Sequence, residues 1–360
     1  MKNNRKILIG IGIPVMITII VIGILLPVWI FNEQTNSDTY WKSATPQDVD
    51  MRSDTLNSMI NYLESENHDI YSVIIIRNGF IVKEWYTSGY NINSLFKLYS
   101  ATKSVTSILL GIAIDLGFIS NVSQLILNYF SNRTINNLDS DKESITIEDL
   151  LTMTAGFDWP EWELPYLNVN NIFNTWKVQE DYVQFVLDRP MNKTPGEMFN
   201  YNTGISHLLG AILEKSTNSS MEFFASQYLF EPLEITSTLW DYDPDGLPLG
   251  GEGLHLRARD MAKIGYLFLN EGIWGEEQII SAEWVNTSTY DHVTVSNSSG
   301  YGYQWWVSKI YDSYNANGFG GQRIHIFPED DLVVVFTGWD LYTGLSWDLL
   351  ENFILPSIII

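Results

Sequence analysis

Strand-like segments stand near the two ends of this 360-residue chain, and helical ones fill the stretch between them. Tyr71 to Arg77 is rich in β-branched and aromatic residues and runs into Asn78-Gly79, a type I′ turn signal, with Phe80 to Tyr86 as the return strand. Strand patterns come back at Tyr301 to Ser308, Gln322 to Phe327 and Leu332 to Thr337, the last two joined by a turn at Pro328-Glu329-Asp330-Asp331. Helical spacing marks Leu56 to Glu66, Val105 to Leu116, Ile147 to Met153, Asp181 to Leu187 and Ile205 to Lys215, and Leu341 to Ile359 reads as a closing helix interrupted at Pro356. A parallel α/β sheet needs regular strand–helix alternation, which is missing. The expected fold class is α+β: an antiparallel sheet built from both ends of the chain, flanked by helices, with a helical subdomain at roughly 105–240.

Ile7 to Phe31 is 25 residues without a charge. As a helix it would span about 37 Å, enough to cross a bilayer with tilt. Lys2, Arg5 and Lys6 all precede it, which sets the N-terminus in the cytoplasm and the folded domain outside. A cleaved signal peptide would have a shorter apolar run and small residues at its end, where this chain has Val28-Trp29-Ile30-Phe31. The expected organisation is a cytoplasmic tail (1–6), a single transmembrane helix (7–31), a polar linker (32–50) and a folded domain (51–360).

The chain carries a net charge of −23, from 20 basic and 43 acidic residues. Such a surface repels phosphate backbones, so nucleic acid is excluded as a partner. Cysteine is absent, which removes disulfides, thiolate nucleophiles and Cys-ligated metals. The five histidines are scattered without metal-binding spacing, and neither a Gly-x-Ser-x-Gly elbow nor a phosphate-binding loop occurs. Neither a cofactor nor a metal is expected.

Chemistry concentrates at Ser100-Ala101-Thr102-Lys103, which opens the helix Val105 to Leu116. A serine attacks a carbonyl only if something takes its proton, and a lysine three residues on along one helical face can do so. The helix start also favours a developing anion. A helix-capping serine beside a surface lysine would give the same pattern, and Ser94-Leu95-Phe96-Lys97 repeats it in an extended segment. A second motif, Tyr201-Asn202-Thr203, precedes the helix Ile205 to Ile212 and follows a Thr194-Pro195-Gly196 turn.

With both motifs in that order, the chain resembles the serine β-lactamase and penicillin-binding-protein superfamily, in its class C and esterase branch. It is most similar there to the 6-aminohexanoate-dimer hydrolase-like group. Ile147 to Gly156, Leu229 to Leu233, Gly253 to Gly265 and Gly320-Gly321-Gln322 extend the likeness, which covers about residues 50 to 358. The resemblance implies a β-lactamase-like fold and a serine hydrolase, with Ser100 as acyl-enzyme nucleophile and Lys103 and Tyr201 as a coupled proton-transfer pair. Either of that pair could be the base, since tyrosine serves only if a nearby cation stabilises its phenolate.

Two departures stand out. Thr203 occupies the position where the family's Tyr motif ends in Asn, and the late Lys/His-Thr/Ser-Gly motif is missing. Gly318 to Gln322 is the best substitute: Gly320, Gly321 and Gln322, with Thr203, are the candidate substrate and oxyanion contacts, and a Gly-rich hairpin turn explains the same residues. Arg323 is a candidate anchor for a substrate carboxylate, His207 for a substrate contact, and Trp159, Trp162, Tyr166 and Trp176 for an apolar wall. The expected activity is hydrolysis of small esters or amides by a membrane-anchored, extracytoplasmic enzyme. The alternatives are a D-Ala-D-Ala carboxypeptidase or β-lactamase, which needs a carboxylate anchor, and a catalytically silent binding or sensor protein on the same scaffold.

Overall fold

The Asn78-Gly79 turn sets the first hairpin: both residues have positive φ (51° and 78°), as a type I′ turn requires. The computed structural model describes residues 40–65, 68–341 and 344–359, and residues from Trp41 onward form one compact unit. Its main sheet has nine strands among the described residues: β1 (Lys42–Ser43), β2 (Ile70–Arg77), β3 (Phe80–Tyr86), β4 (Val293–Thr294), β5 (Ser299–Tyr301), β6 (Trp306–Ser308), β7 (Ser313–Gly318), β8 (Gln322–Phe327) and β9 (Leu332–Gly338). They lie in the order β1-β3-β2-β9-β8-β7-β6-β5-β4, so the two ends of the chain meet where β2 pairs antiparallel with β9.

Every side chain of β9 is buried, because helices cover both faces of the sheet centre. That explains a continuous apolar run instead of strict alternation. On one face α1 (Ser53–Ser65) and the C-terminal turns pack Leu56, Met59, Leu63, Leu350 and Ile354 against Val73, Ile75, Val334 and Phe336. Each such fully buried side chain contributes roughly 1.5–3 kcal/mol of transfer free energy.

Two long helices carry the middle of the chain: α2 (Thr102–Asp115) and α3 (Thr203–Thr217), both buried over their first eleven residues. They pack on one another, and Gly111 of α2 makes room for Trp284, whose ring would lie 2.5 Å from an added Cβ. Beyond them, α4 (Ala258–Leu269) covers the second face of the sheet, where Gly265 allows close approach to Val333 and Ile324. Short helices and turns fill the chain between α2 and α3. A small antiparallel sheet joins Leu95–Lys97, Leu254–Arg257 and Leu239–Trp240.

Several expectations need correction. The main sheet is mixed, because β1 runs parallel to β3. That strand falls inside the expected 32–50 linker, whose second half folds: Trp41 is buried between Tyr266 and Trp274. Two residues of strand give no periodic signal, and they are held by pairing with β3 and by the aromatic partners of the neighbouring Trp41. Tyr301 to Ser308 is two strands, β5 and β6, folded back on each other. Strand β7 was unforeseen, since Ser-Tyr-Asn-Ala-Asn-Gly is poor in strand formers; its pairing with β6 and β8 overrides propensity. The closing helix is a five-residue helix, Leu345–Leu349, continued by irregular turns to Ser357. Among the described residues no helix is long and apolar enough to cross a membrane, and the expected span Ile7 to Phe31 lies outside them.

Candidate active site

The site begins where the strand Leu95–Lys97 turns into α2. A single helical turn over Tyr99–Ala101, with Tyr99 at φ 47°, sets Ser100 half-buried just ahead of α2. Lys103 follows on the first turn of α2 and is 1% exposed. Its Nζ has three neighbours: Ser100 Oγ at 3.0 Å, Thr203 Oγ1 at 3.0 Å and Gly251 O at 2.8 Å. Burial lowers its pKa to about 8, and the carboxylates of Glu161 and Glu252 oppose that fall.

The second motif arrives from the start of α3. Asn202 caps that helix by accepting from the Ile205 N–H, so Tyr201 lies just ahead of it and Thr203 begins it. The Tyr201 ring lies beside the lysine, with Lys103 Nζ 4.9 Å from its centroid. Burial, with Glu161 adding to it, pushes the Tyr201 phenol well above its ordinary pKa. Ser100, within hydrogen-bonding reach, and the more distant Arg323 pull the other way.

The third wall is the loop Gly250-Gly251. A Cβ on Gly251 would come within 2.8 Å of the Thr203 carbonyl, and one on Gly250 within 2.7 Å of the Ser206 carbonyl. Only glycine lets this loop aim its carbonyl at Lys103.

Strand β7 closes the site on the side of Ser100. Gly318, its last residue, lies so close to the Leu98 carbonyl that an added Cβ would be 2.0 Å from it. Gly320 and Gly321 make the turn into β8 with φ 76° and 90°. Gln322 is buried and donates from Nε2 to the Gly338 carbonyl at 2.6 Å, so it braces the hairpin from beneath. Arg323 is also inward: Nη1 donates to the carbonyls of Gly318 (2.6 Å) and Gln322 (3.0 Å). Burial lowers its pKa to about 10.

The four candidate aromatic wall residues divide. Trp159 and Trp176 are core, at 1% and 0% exposure. Trp162, 54% exposed, stacks on Tyr201 at 4.9 Å and 15° and lies nearly parallel to Trp306 at 6.2 Å. Tyr166 meets Phe319 edge-on at 5.6 Å, and Phe319 in turn packs on Trp339. His207 is wholly buried against Asp243, 3.0 Å away, and makes no part of the cleft. The repeated Ser94/Lys97 pattern also separates: Lys97 pairs with Asp241 at 2.6 Å.

Residues 70–343 match the Beta-lactamase family over most of the chain. The chain belongs to that family. A 6-aminohexanoate-dimer hydrolase of Paenarthrobacter ureafaciens is 23% identical over 342 residues, covering 88% of this chain and 85% of that protein. Among solved structures, EstCE1, a hydrolase with promiscuous acyltransferase activity, superposes with a TM-score of 0.71 at 16% identity, covering 88% of this chain and 99% of the other. A family VIII carboxylesterase gives 0.68 at 14% identity, covering 87% and 98%. This member of the Beta-lactamase family is a serine hydrolase of the β-lactamase and esterase superfamily.

Two parts of the site escaped the sequence. Glu161 accepts from Thr203 Oγ1 (2.6 Å), the Thr203 N–H (2.7 Å), Trp159 Nε1 (2.7 Å) and the Tyr166 hydroxyl (2.9 Å), yet nothing in Trp-Pro-Glu-Trp singles it out. The Gly251 carbonyl is backbone, which no residue motif encodes; the run Gly250-Gly251-Glu252-Gly253 was its one signal.

Proposed function

We propose that this protein is a membrane-anchored serine hydrolase that cleaves small, uncharged esters or amides through an acyl-enzyme on Ser100. One observation carries the reading: the Lys103 amine sits 3.0 Å from the Ser100 hydroxyl while its other two contacts are oxygens that take its hydrogens. A neutral amine there has its lone pair left for the serine. With a pKa near 8, a useful fraction of Lys103 is neutral at physiological pH, whereas Tyr201 stays a phenol. Lys103 is therefore the base and Tyr201 the acid.

In the first step Lys103 takes the Ser100 proton as Oγ bonds to the substrate carbonyl carbon, whose π electrons move to oxygen. The Ser100 N–H and the backbone of the Phe319–Gly321 turn are candidates to hold that oxyanion. On collapse the carbonyl re-forms and the leaving heteroatom takes the Tyr201 proton, which Lys103 replaces. Water then attacks the ester by the same route, and Ser100 recovers its proton.

The preference for uncharged substrates rests on the surroundings. The rings of Trp162, Trp306, Tyr166 and Phe319 line the cleft, while Arg323 spends Nη1 on the hairpin backbone. With Nη1 so engaged, Arg323 is a weaker anchor for the carboxylate of a β-lactam or D-Ala-D-Ala peptide. The named relatives include a 6-aminohexanoate-dimer hydrolase and a carboxylesterase, in keeping with amide and ester substrates.

Intact-protein mass spectrometry tests the chemistry: a fluorophosphonate and p-nitrophenyl butyrate should each leave one adduct, mapped to Ser100. Labelling elsewhere, or none, overturns it and favours a silent binding protein. Turnover should fall from p-nitrophenyl butyrate, through a linear ω-amino-acid dimer, to nitrocefin and a D-Ala-D-Ala peptide; the reverse ranking favours a β-lactamase or carboxypeptidase. The apolar run Ile7 to Phe31 behind Lys2, Arg5 and Lys6 supports a single span with the enzyme outside. Full-length protein should resist carbonate extraction from membranes and be digested by protease added outside the cell.

A further inference from the structure

Lys103 can act on Ser100 only if its other neighbours do not compete for its lone pair. Gly251 offers a carbonyl, which can only accept. Thr203 is different, because a hydroxyl can donate or accept. Its single proton has two possible destinations, Lys103 Nζ at 3.0 Å and Glu161 Oε1 at 2.6 Å. If it went to Lys103, the amine's lone pair would face Thr203 and not Ser100.

The surroundings of Glu161 decide the direction. The residue is 1% exposed. Four donors converge on its two oxygens: Oε1 accepts from Thr203 Oγ1 and the Tyr166 hydroxyl, and Oε2 from Trp159 Nε1 and the Thr203 N–H. This is the pattern of an acceptor-only carboxylate at the first turn of α3, where an anion is favoured. Asn171 holds the loop that carries it, donating from Nδ2 to the carbonyls of Glu161 and Leu164. Glu161 is thus held in place, and it accepts the Thr203 hydroxyl hydrogen bond.

We propose that Glu161 is a positioning residue: by accepting the Thr203 hydroxyl hydrogen bond it makes Thr203 an obligate acceptor from Lys103, and so turns the lysine lone pair onto Ser100. This rests on the reading of Lys103 as the base for Ser100. It also gives Thr203 a role different from substrate contact, that of a polar joint between carboxylate and lysine. The same carboxylate charge opposes the lowering of the Lys103 pKa, which supplies an independent readout.

The test uses the full chain, with the rate of fluorophosphonate labelling at Ser100 and the pH dependence of p-nitrophenyl butyrate turnover. Glu161→Gln keeps the shape but removes the charge and can offer a proton to Thr203. It should lower labelling and kcat by roughly tenfold or more with little change in KM. Its kcat/KM should also rise at lower pH than in wild type, because losing an anion makes the Lys103 cation easier to deprotonate. Thr203→Val should show a similar loss in rate, and Thr203→Ser should restore wild-type rates to within about threefold, since a hydroxyl is all the joint requires. A folded Glu161→Gln with the wild-type labelling rate and unmoved pH profile overturns the proposal. If that variant does not fold, a Thr203→Val enzyme as fast as wild type overturns it instead. Wild type unlabelled at Ser100 sinks the underlying reading and this one together, whereas labelled wild type beside an unaffected Glu161→Gln sinks this one alone.

Discussion

Lys103 Nζ lies 3.0 Å from Ser100 Oγ, a contact made within one helical turn, yet the lysine is held there by groups 100 and 148 residues away. The pair is local in sequence, but its chemistry is set by long-range contacts. Burial brings the amine toward neutrality, and Thr203 and Gly251 direct its hydrogens.

The pH profile should follow this one group. Only the neutral amine can take the Ser100 proton, so kcat/KM should be low where Lys103 is protonated and rise with pH through its value of about 8. About a tenth of the enzyme is competent at pH 7 and most of it above about pH 9. A rate on p-nitrophenyl butyrate that falls over that range would assign the step to a different group.

Removing the nucleophile should leave the fold alone. Ser100 is half-buried, so Ser100→Ala should melt within about 1 kcal/mol of wild type while losing roughly a thousandfold or more in kcat. Thermal unfolding and burst kinetics on the same sample would separate the two effects.

Trp162 gives a test of the apolar wall. It is exposed, so Trp162→Ala should cost little stability, but it removes the ring stacked 4.9 Å over Tyr201. KM for p-nitrophenyl butyrate should rise about tenfold, roughly 1.4 kcal/mol of lost contact, with a smaller effect on the acetate ester. Equal effects on both esters would mean the ring positions Tyr201 and does not hold the acyl chain.

Gly318 should tolerate no side chain. An alanine Cβ would lie 2.0 Å from the Leu98 carbonyl, forcing β7 away from the turn that carries Ser100. Gly318→Ala should destabilise the protein by about 1–3 kcal/mol and lower kcat beyond what unfolding accounts for. Circular dichroism melts and active-site titration with a fluorophosphonate would measure both. An unchanged kcat at full labelling would show that the strand and the serine turn are independent.

Much of the site was legible in the chain because its key pieces are local. Ser100 and Lys103 share one turn of α2, and Asn78-Gly79 needs only its own backbone to define a hairpin. Tyr201 was legible as a motif ahead of a helix. Strand β7 and the Trp41 segment were not, because polar or very short strands exist only through partners: β6 and β8 in one case, Tyr266 and Trp274 in the other. Gly320, Gly321 and Gln322 were marked as a possible oxyanion contact or a turn. Gly320 and Gly321 form the turn with positive φ and Gln322 braces it to Gly338, so the turn is seen directly, while its backbone stays the candidate oxyanion contact.

The sequence by itself brought forward the candidate reacting groups, through the Ser100–Lys103 spacing and the family resemblance at Tyr201, and it determined the α+β class and the two ends of the sheet, which follow from periodicity within one helix, hairpin or strand. Only the tertiary structure decided how those groups are tuned. Glu161, through Thr203, and the Gly251 carbonyl reach Lys103 across the fold, and Arg323 gives Nη1 to the carbonyls of the hairpin. The physical reason is that hydrogen-bond direction and burial are properties of what surrounds a side chain, and those neighbours come from segments that no local pattern connects.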